Sequence, residues 1–144
     1  MKLSIATCQF PTTSNILKNE RYILQLINDA NKRGADVAHF PECALSGYAG
    51  ADIESYDGFD WGQLKKSTAK ILDLARELSI WVILGSTHQL SEHHKPHNSL
   101  YVINGKGEII DRYDKLFCAG DKNSKTGDLA HYTSGDHFVV FDIK

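Results

Sequence analysis

The sequence predicts an α/β protein whose first three strands run parallel, and three observations carry that expectation. Strand-like and helix-like patterns alternate from the N-terminus to Gly85, and residues that make turns or caps separate them. The apolar runs Ala35–Phe40 and Ile80–Gly85 lack the alternation of a strand with one wet face, as expected for strands covered on both sides. With 144 residues, 42% hydrophobic and 24% charged, the chain has the size of one ordinary domain and a composition that is neither disordered nor collagen-like.

Taken in order, Lys2–Phe10 reads as a strand with Leu3, Ile5 and Thr7 on one face, and Phe10–Asn15 then supplies turn and N-cap residues. Ile16, Ile23, Ile27 and Ala30, with Leu17 and Leu24 beside them, fall at helical spacing, and Lys32-Arg33-Gly34 ends that helix near Arg33. Pro41 cannot continue a central ladder, so Pro41–Tyr48 begins at the end of the second strand. Asp60-Trp61-Gly62-Gln63 resembles a capping box, and Leu64, Thr68, Ile71, Leu72, Ala75 and Leu78 trace a second amphipathic helix. After the Ile80–Gly85 strand the character changes. Ser99–Ile103 and Glu108–Tyr113 read as a hairpin closed by Asn104-Gly105-Lys106-Gly107, Cys118–Gly135 as loop, and Phe138–Ile143 as one more strand.

Charge and cysteine usage exclude several function classes. Sixteen Lys+Arg stand against eighteen Asp+Glu, a formal net charge of −2 with no long block of either sign, so nucleic acid and anionic membrane are not expected partners. No apolar run approaches the roughly 20 residues of a membrane span, and the N-terminus turns polar too early for a signal peptide; a cytoplasmic protein is expected. Three cysteines at unrelated spacings argue for reduced thiols, against a disulfide framework or a four-cysteine zinc site.

Glu42 follows a buried strand directly, where α/β proteins gather ligands, and a partly desolvated carboxylate there can act as a general base. An exposed or capping glutamate fits the same position. Lys115, at the end of the hairpin, can present positive charge to an oxyanion, or be a solvated lysine paired with Asp111 or Asp114. Cys43 and Cys118 carry no cysteine-protease signature and read as small hydrophobes. His88, His93, His94 and His97 surround Pro96 in a polar stretch read as a solvated loop, at spacings that match no common zinc site. Gly120, Gly127 and Gly135 form neither a phosphate loop nor a dinucleotide fingerprint, so no cofactor is expected.

Together these segments resemble the nitrilase, or carbon-nitrogen hydrolase, superfamily. The resemblance is carried by Lys2–Phe10, by Phe40-Pro41-Glu42 continuing to Ser46-Gly47-Tyr48, by Trp81–Ser86 followed by Asn98-Ser99, and by Asp111–Phe117. It implies an α-β-β-α sandwich and a Glu-Lys-Cys triad, with Glu42 as general base and Lys115 as the cation beside the tetrahedral intermediate. Tyr48, and by a looser match Asp128, become substrate contacts. The implied substrate is a small amide, carbamoyl compound or nitrile, cleaved through a thioester without metal or organic cofactor, in a homo-oligomer. The resemblance also places the nucleophile a few tens of residues after the lysine and gives members about twice this length. Residues 1–144 are therefore expected to be the N-terminal part of such a domain, holding Glu and Lys but no nucleophile, and inactive alone. The competing expectation is a complete, non-catalytic α/β module that binds a small molecule or a partner.

Overall fold

The computed structural model describes residues 2–123 and 126–143. Five strands lie side by side in chain order: β1 (Ile5–Thr7), β2 (Val37–His39), β3 (Trp81–His88), β4 (His97–Ile103) and β5 (Ile109–Asp114). β1, β2 and β3 are parallel, as expected, and β3, β4 and β5 are antiparallel. The parallel strands step across the sheet in one direction, so right-handed crossovers put both connecting helices on the same face.

Those helices are α1 (Ile16–Lys32) and α2 (Trp61–Leu78). The Asn15 side chain caps α1 by accepting from Lys18 N at 2.9 Å, and Gly34 beyond its end takes φ +72°. Asp60 caps α2 through Gln63 N at 2.8 Å, but Gln63 reaches forward to Ser67 Oγ at 3.0 Å, so only half of the expected capping box forms. Ile16, Ile23, Ile27 and Ala30 of α1 and Leu64, Ile71 and Ala75 of α2 pack on Ala38, Val82, Leu84 and Ile103 of the sheet. Between the helices the nearly enclosed Glu20 carboxylate accepts from Ser67 at 2.5 Å and Lys70 at 2.7 Å.

The opposite face of the sheet is less covered. In register across it lie Ile5, Val37 and Trp81, with Ile5 56% exposed. Phe138–Ile143 was expected as a strand and is not one. Its Phe141 ring stacks on Trp81 at 6.2 Å between centroids, while Phe138 and Val140 remain largely exposed. The run has strand-forming side chains but no ladder partner among the described residues, and side-chain propensity alone does not make a strand.

Three further expectations need correction. The first strand pairs only over Ile5–Thr7, not the whole of Lys2–Phe10. The Cys118–Gly135 loop contains a single helical turn, α3 (Asp128–His131), too short to leave a periodic signature. His88 and His97 are not in a solvated loop: they pair directly across β3 and β4, with His97 buried, and only His93 and His94 lie exposed between the strands. Among the described residues no cluster of His, Cys, Asp and Glu could hold a metal ion, and no helix is long and apolar enough to cross a membrane.

Candidate active site

Glu42 owes its place to a close approach of two backbones. Phe40 N extends the β2 ladder by bonding Ile83 O at 2.9 Å. One step on, the Pro41 carbonyl rests against Gly85 of β3, where a Cβ would lie 1.9 Å from the Pro41 oxygen; only glycine permits this packing. Since proline has no N–H to give, the chain leaves the sheet at Glu42 and rejoins it through Leu45 N to Gly85 O at 3.0 Å. Cys43, at φ +52°, forms the bend. Buried Asn19 then ties the returning loop to the start of α1, donating to Leu45 O at 3.1 Å and Thr13 O at 2.7 Å.

The Glu42 carboxylate meets two donors, both on Oε1: Lys115 Nζ at 2.7 Å and Asn98 Nδ2 at 2.5 Å. Lys115 follows β5, and its backbone N bonds Asn98 O at 2.8 Å, prolonging the β4–β5 ladder by one residue. Its ammonium also lies 3.0 Å from Asp128 Oδ2, 3.5 Å from the Tyr48 hydroxyl and 5.7 Å from the centre of the Tyr48 ring. Tyr48 donates to Asp128 Oδ1, and Ala119 N donates to Asp128 Oδ2 at 3.1 Å. The structure thus gathers Glu42 and Tyr48 of one loop with Lys115 and Asp128, from three separate stretches of chain. Lys115 pairs with neither Asp111 nor Asp114, the partners of the solvated alternative.

Electrostatically the cluster is one ammonium between two carboxylates. Desolvation works against the Lys115 cation, but the bonds to Glu42 and Asp128 outweigh it and hold Lys115 protonated well above the ordinary lysine range. Burial likewise opposes ionised Asp128, and the hydrogen bonds from Tyr48 and Lys115 overcome it, keeping the acid below its usual range. The Tyr48 hydroxyl is pushed up to about 12 by burial, by its bond to Asp128 and by the Glu42 charge. Lys115 is therefore a fixed positive charge and not a base. Glu42, with 46% of its side chain exposed, is the acid open to solvent. A pocket of about 350 Å³ adjoins the pair, lined by His39, Phe40, Pro41, Leu100 and Tyr113 together with Glu42, Asn98 and Lys115.

The cysteines do not join this pocket. All three thiols are free. Cys43 is fully buried and turns away from Glu42 toward Tyr132, with Sγ 3.6 Å from the hydroxyl, and burial pushes its thiol up to about 12. The Tyr132 hydroxyl also accepts from Ala49 N and Tyr56 OH, both at 2.9 Å, so it joins the loop bearing Tyr48 to the turn bearing Asp128. Among the described residues Cys118 Sγ reaches the Lys115 carbonyl alone, at 3.6 Å. Sequence reasoning did not single out Tyr132 or Asn98 as site residues. The signal for Asn98 was its place one residue before Ser99, opposite Asp114-Lys115 in an antiparallel pair.

The carbon-nitrogen hydrolase family model matches residues 4–143, and the chain belongs to that family. Nitrilase homolog 2 of Dictyostelium discoideum is 28% identical over 130 residues, covering 88% of this chain and 39% of the relative. The deaminated glutathione amidase of Rattus norvegicus is 29% identical over 121 residues, covering 77% of this chain and 35% of the relative. Among solved structures, an amidase from Nesterenkonia sp. superposes with a TM-score of 0.76 at 17% identity, covering 94% of this chain and 49% of the amidase. The chain thus has the fold of nitrilase-superfamily amidases, and it spans about half or less of the length of these relatives.

Proposed function

We propose that this chain supplies the base and the cation of a hydrolase that cleaves a non-peptide carbon-nitrogen bond in a small amide, carbamoyl compound or nitrile. The observation that carries the reading is the 2.7 Å contact between Lys115 Nζ and Glu42 Oε1 beside an open pocket. Glu42 takes the proton from an attacking thiol and returns it to the departing amine. Lys115 stabilises the negative charge that develops on the substrate oxygen or nitrogen, and Glu42 then activates the water that cleaves the thioester. Tyr48 and Asp128 hold Lys115 in place from outside the lining of that pocket. The nucleophile is a cysteine outside residues 1–144, because Cys43 is buried with a strongly raised pKa and Cys118 faces a backbone carbonyl. The length of the relatives supports the same division, as does an amidase variant from Nesterenkonia sp. that carries acrylamide on its active-site cysteine.

The test is ammonia release from a panel of small amides, N-carbamoyl compounds and nitriles. Residues 1–144 alone are expected to release none, and the protein extended through the nucleophile to release it. Enzyme-like turnover by residues 1–144 alone overturns the division of the triad. Full turnover by the extended protein carrying Glu42→Gln overturns the role of Glu42.

A further inference from the structure

The two donors on Glu42 share one oxygen, and this differentiates the two halves of the carboxylate. Asn98 is 96% buried by its neighbours, with 4% exposed, and it sits at the start of β4 with its carboxamide 2.5 Å from Oε1. Lys115 Nζ meets the same Oε1 at 2.7 Å. Among the described residues no donor reaches Oε2. The amide orientation follows from charge: a carboxylate oxygen accepts only, so the face Asn98 turns toward it must be its NH2 and not its carbonyl. An oxygen that already accepts two short hydrogen bonds, one from a cation, is the poorer proton acceptor, and the free one is the better.

Resting on the reading of Glu42 as general base, we propose that Asn98 is a positioning residue that fixes the Glu42 carboxylate through Oε1, so that the catalytic proton is carried on Oε2. The backbone supports this division. Asn98 O accepts from Lys115 N at 2.8 Å, so one residue sets both the main chain of the cation and the side chain of the base. Glu42 itself stands on a loop that leaves the sheet, and its side chain is half exposed. Without Asn98 it would be held by Lys115 alone, through a flexible stem that Asp128 and Tyr48 also compete for. In the proton transfer a thiol S–H bond breaks and an O–H bond forms at Oε2. The negative charge passes from carboxylate to sulfur while the Oε1 contacts persist, and the proton later leaves Oε2 for the departing amine.

The experiment compares Asn98→Ala, Asn98→Asp and Glu42→Gln in the hydrolase complete with its nucleophile, measuring kcat, KM and the pH profile of kcat/KM. Asn98→Ala is expected to lower kcat about tenfold to a hundredfold, as for loss of one charge-assisted hydrogen bond, with KM within about threefold of wild type. Its acid limb moves to higher pH, because a carboxylate that loses a donor is more easily protonated. Asn98→Asp moves the limb further, since two facing carboxylates share a proton. A merely structural asparagine would lower the active fraction without moving the limb. Wild-type kcat and pH profile in Asn98→Ala, with Glu42→Gln inactive, overturns the role of Asn98 and leaves the base in place. Full activity in Glu42→Gln overturns the base reading instead. The Asn98 side-chain amide resonances give a measure independent of any Asn98 variant: they are expected to shift strongly on Glu42→Gln, and unchanged resonances overturn the contact.

Discussion

Asp114, the last residue of strand β5, and Lys115 just beyond it serve two ionic clusters on opposite faces of the sheet, and the clusters differ in how completely their charges are matched. On the helix side, Asp114 takes two bonds from Arg112, at 2.9 and 3.0 Å, and a third from Ser99 at 2.6 Å, with 9% of its side chain exposed. Arg112 in turn donates to His88 at 2.6 Å, and His88 meets Tyr101 at 2.8 Å. On the other side, Lys115 and Asn98 meet Glu42, which among the described residues keeps one oxygen without a donor and opens to the pocket. Ser99 pairs with Asp114 in the ladder, so the neighbouring Asn98 and Lys115 fall together on the far face. A satisfied buried pair holds the hairpin shut. An incompletely satisfied one, built from the very next residues, is the one to which the proposed mechanism assigns the proton transfer.

That contrast breaks most visibly in turnover. Glu42→Gln and Lys115→Ala in the extended hydrolase are each expected to lower kcat by about three orders of magnitude, the scale of general acid-base and oxyanion contributions. Glu42→Gln should leave the unfolding free energy within about 1 kcal/mol of wild type, as expected for a half-exposed ion pair, by urea denaturation. Arg112→Ala should do the reverse. Leaving Asp114 ionised and unmatched costs about 2 to 4 kcal/mol of stability by the same measurement, while kcat of the folded fraction changes less than about tenfold. Similar stability losses for Glu42→Gln and Arg112→Ala would erase the distinction between the two faces. Gly85→Ala belongs to neither class. Its Cβ would meet the Pro41 oxygen at 1.9 Å, so the substitution should destabilise by roughly 1 to 3 kcal/mol and also lower kcat by displacing Glu42.

The fold was legible where periodicity is long. The spacing of Ile16, Ile23 and Ile27, and of Leu64, Ile71 and Ala75, gave both helices within a few residues, and the two-sided apolar runs gave β2 and β3. Glu42 after Pro41 and Lys115 at the hairpin end were legible as candidates through the family resemblance, each fitting an ordinary surface residue by position alone. Their meeting was not, because it depends on Gly85 admitting the Pro41 carbonyl and on the register that sets Asn98 beside Lys115, and both are tertiary facts. Phe138–Ile143 went the other way, since strand propensity describes a side chain and not the presence of a partner. The histidines were misread for a similar reason. His88 and His97 lie beyond the apolar part of their strands, where the ladder continues under polar side chains and no hydrophobic pattern marks it.

His88 gives the smallest effect and the sharpest handle on the satisfied face. Its Nε2 receives the Arg112 N–H, so that nitrogen carries no proton, the ring is neutral, and Nδ1–H points to the Tyr101 hydroxyl. Burial, and then the Arg112 charge, hold His88 below its ordinary value of 6.5. The unfolded chain therefore binds this proton at a pH where the folded chain does not, and stability falls as pH drops from about 6.5 toward the folded value. Asp114 is depressed as well: burial opposes its ionisation, but the bonds from Arg112 and Ser99 prevail. Its contribution is complete above about pH 4 and is lost only as pH falls further, so the two groups act in separate windows. His88→Gln keeps an acceptor for Arg112 but cannot titrate. The difference in unfolding free energy between wild type and His88→Gln, followed by urea titration from about pH 7.5 to 5, cancels every other group. It should move against wild type as the pH falls, and a difference that stays flat would show that the His88 ring is free to take its proton in the folded protein.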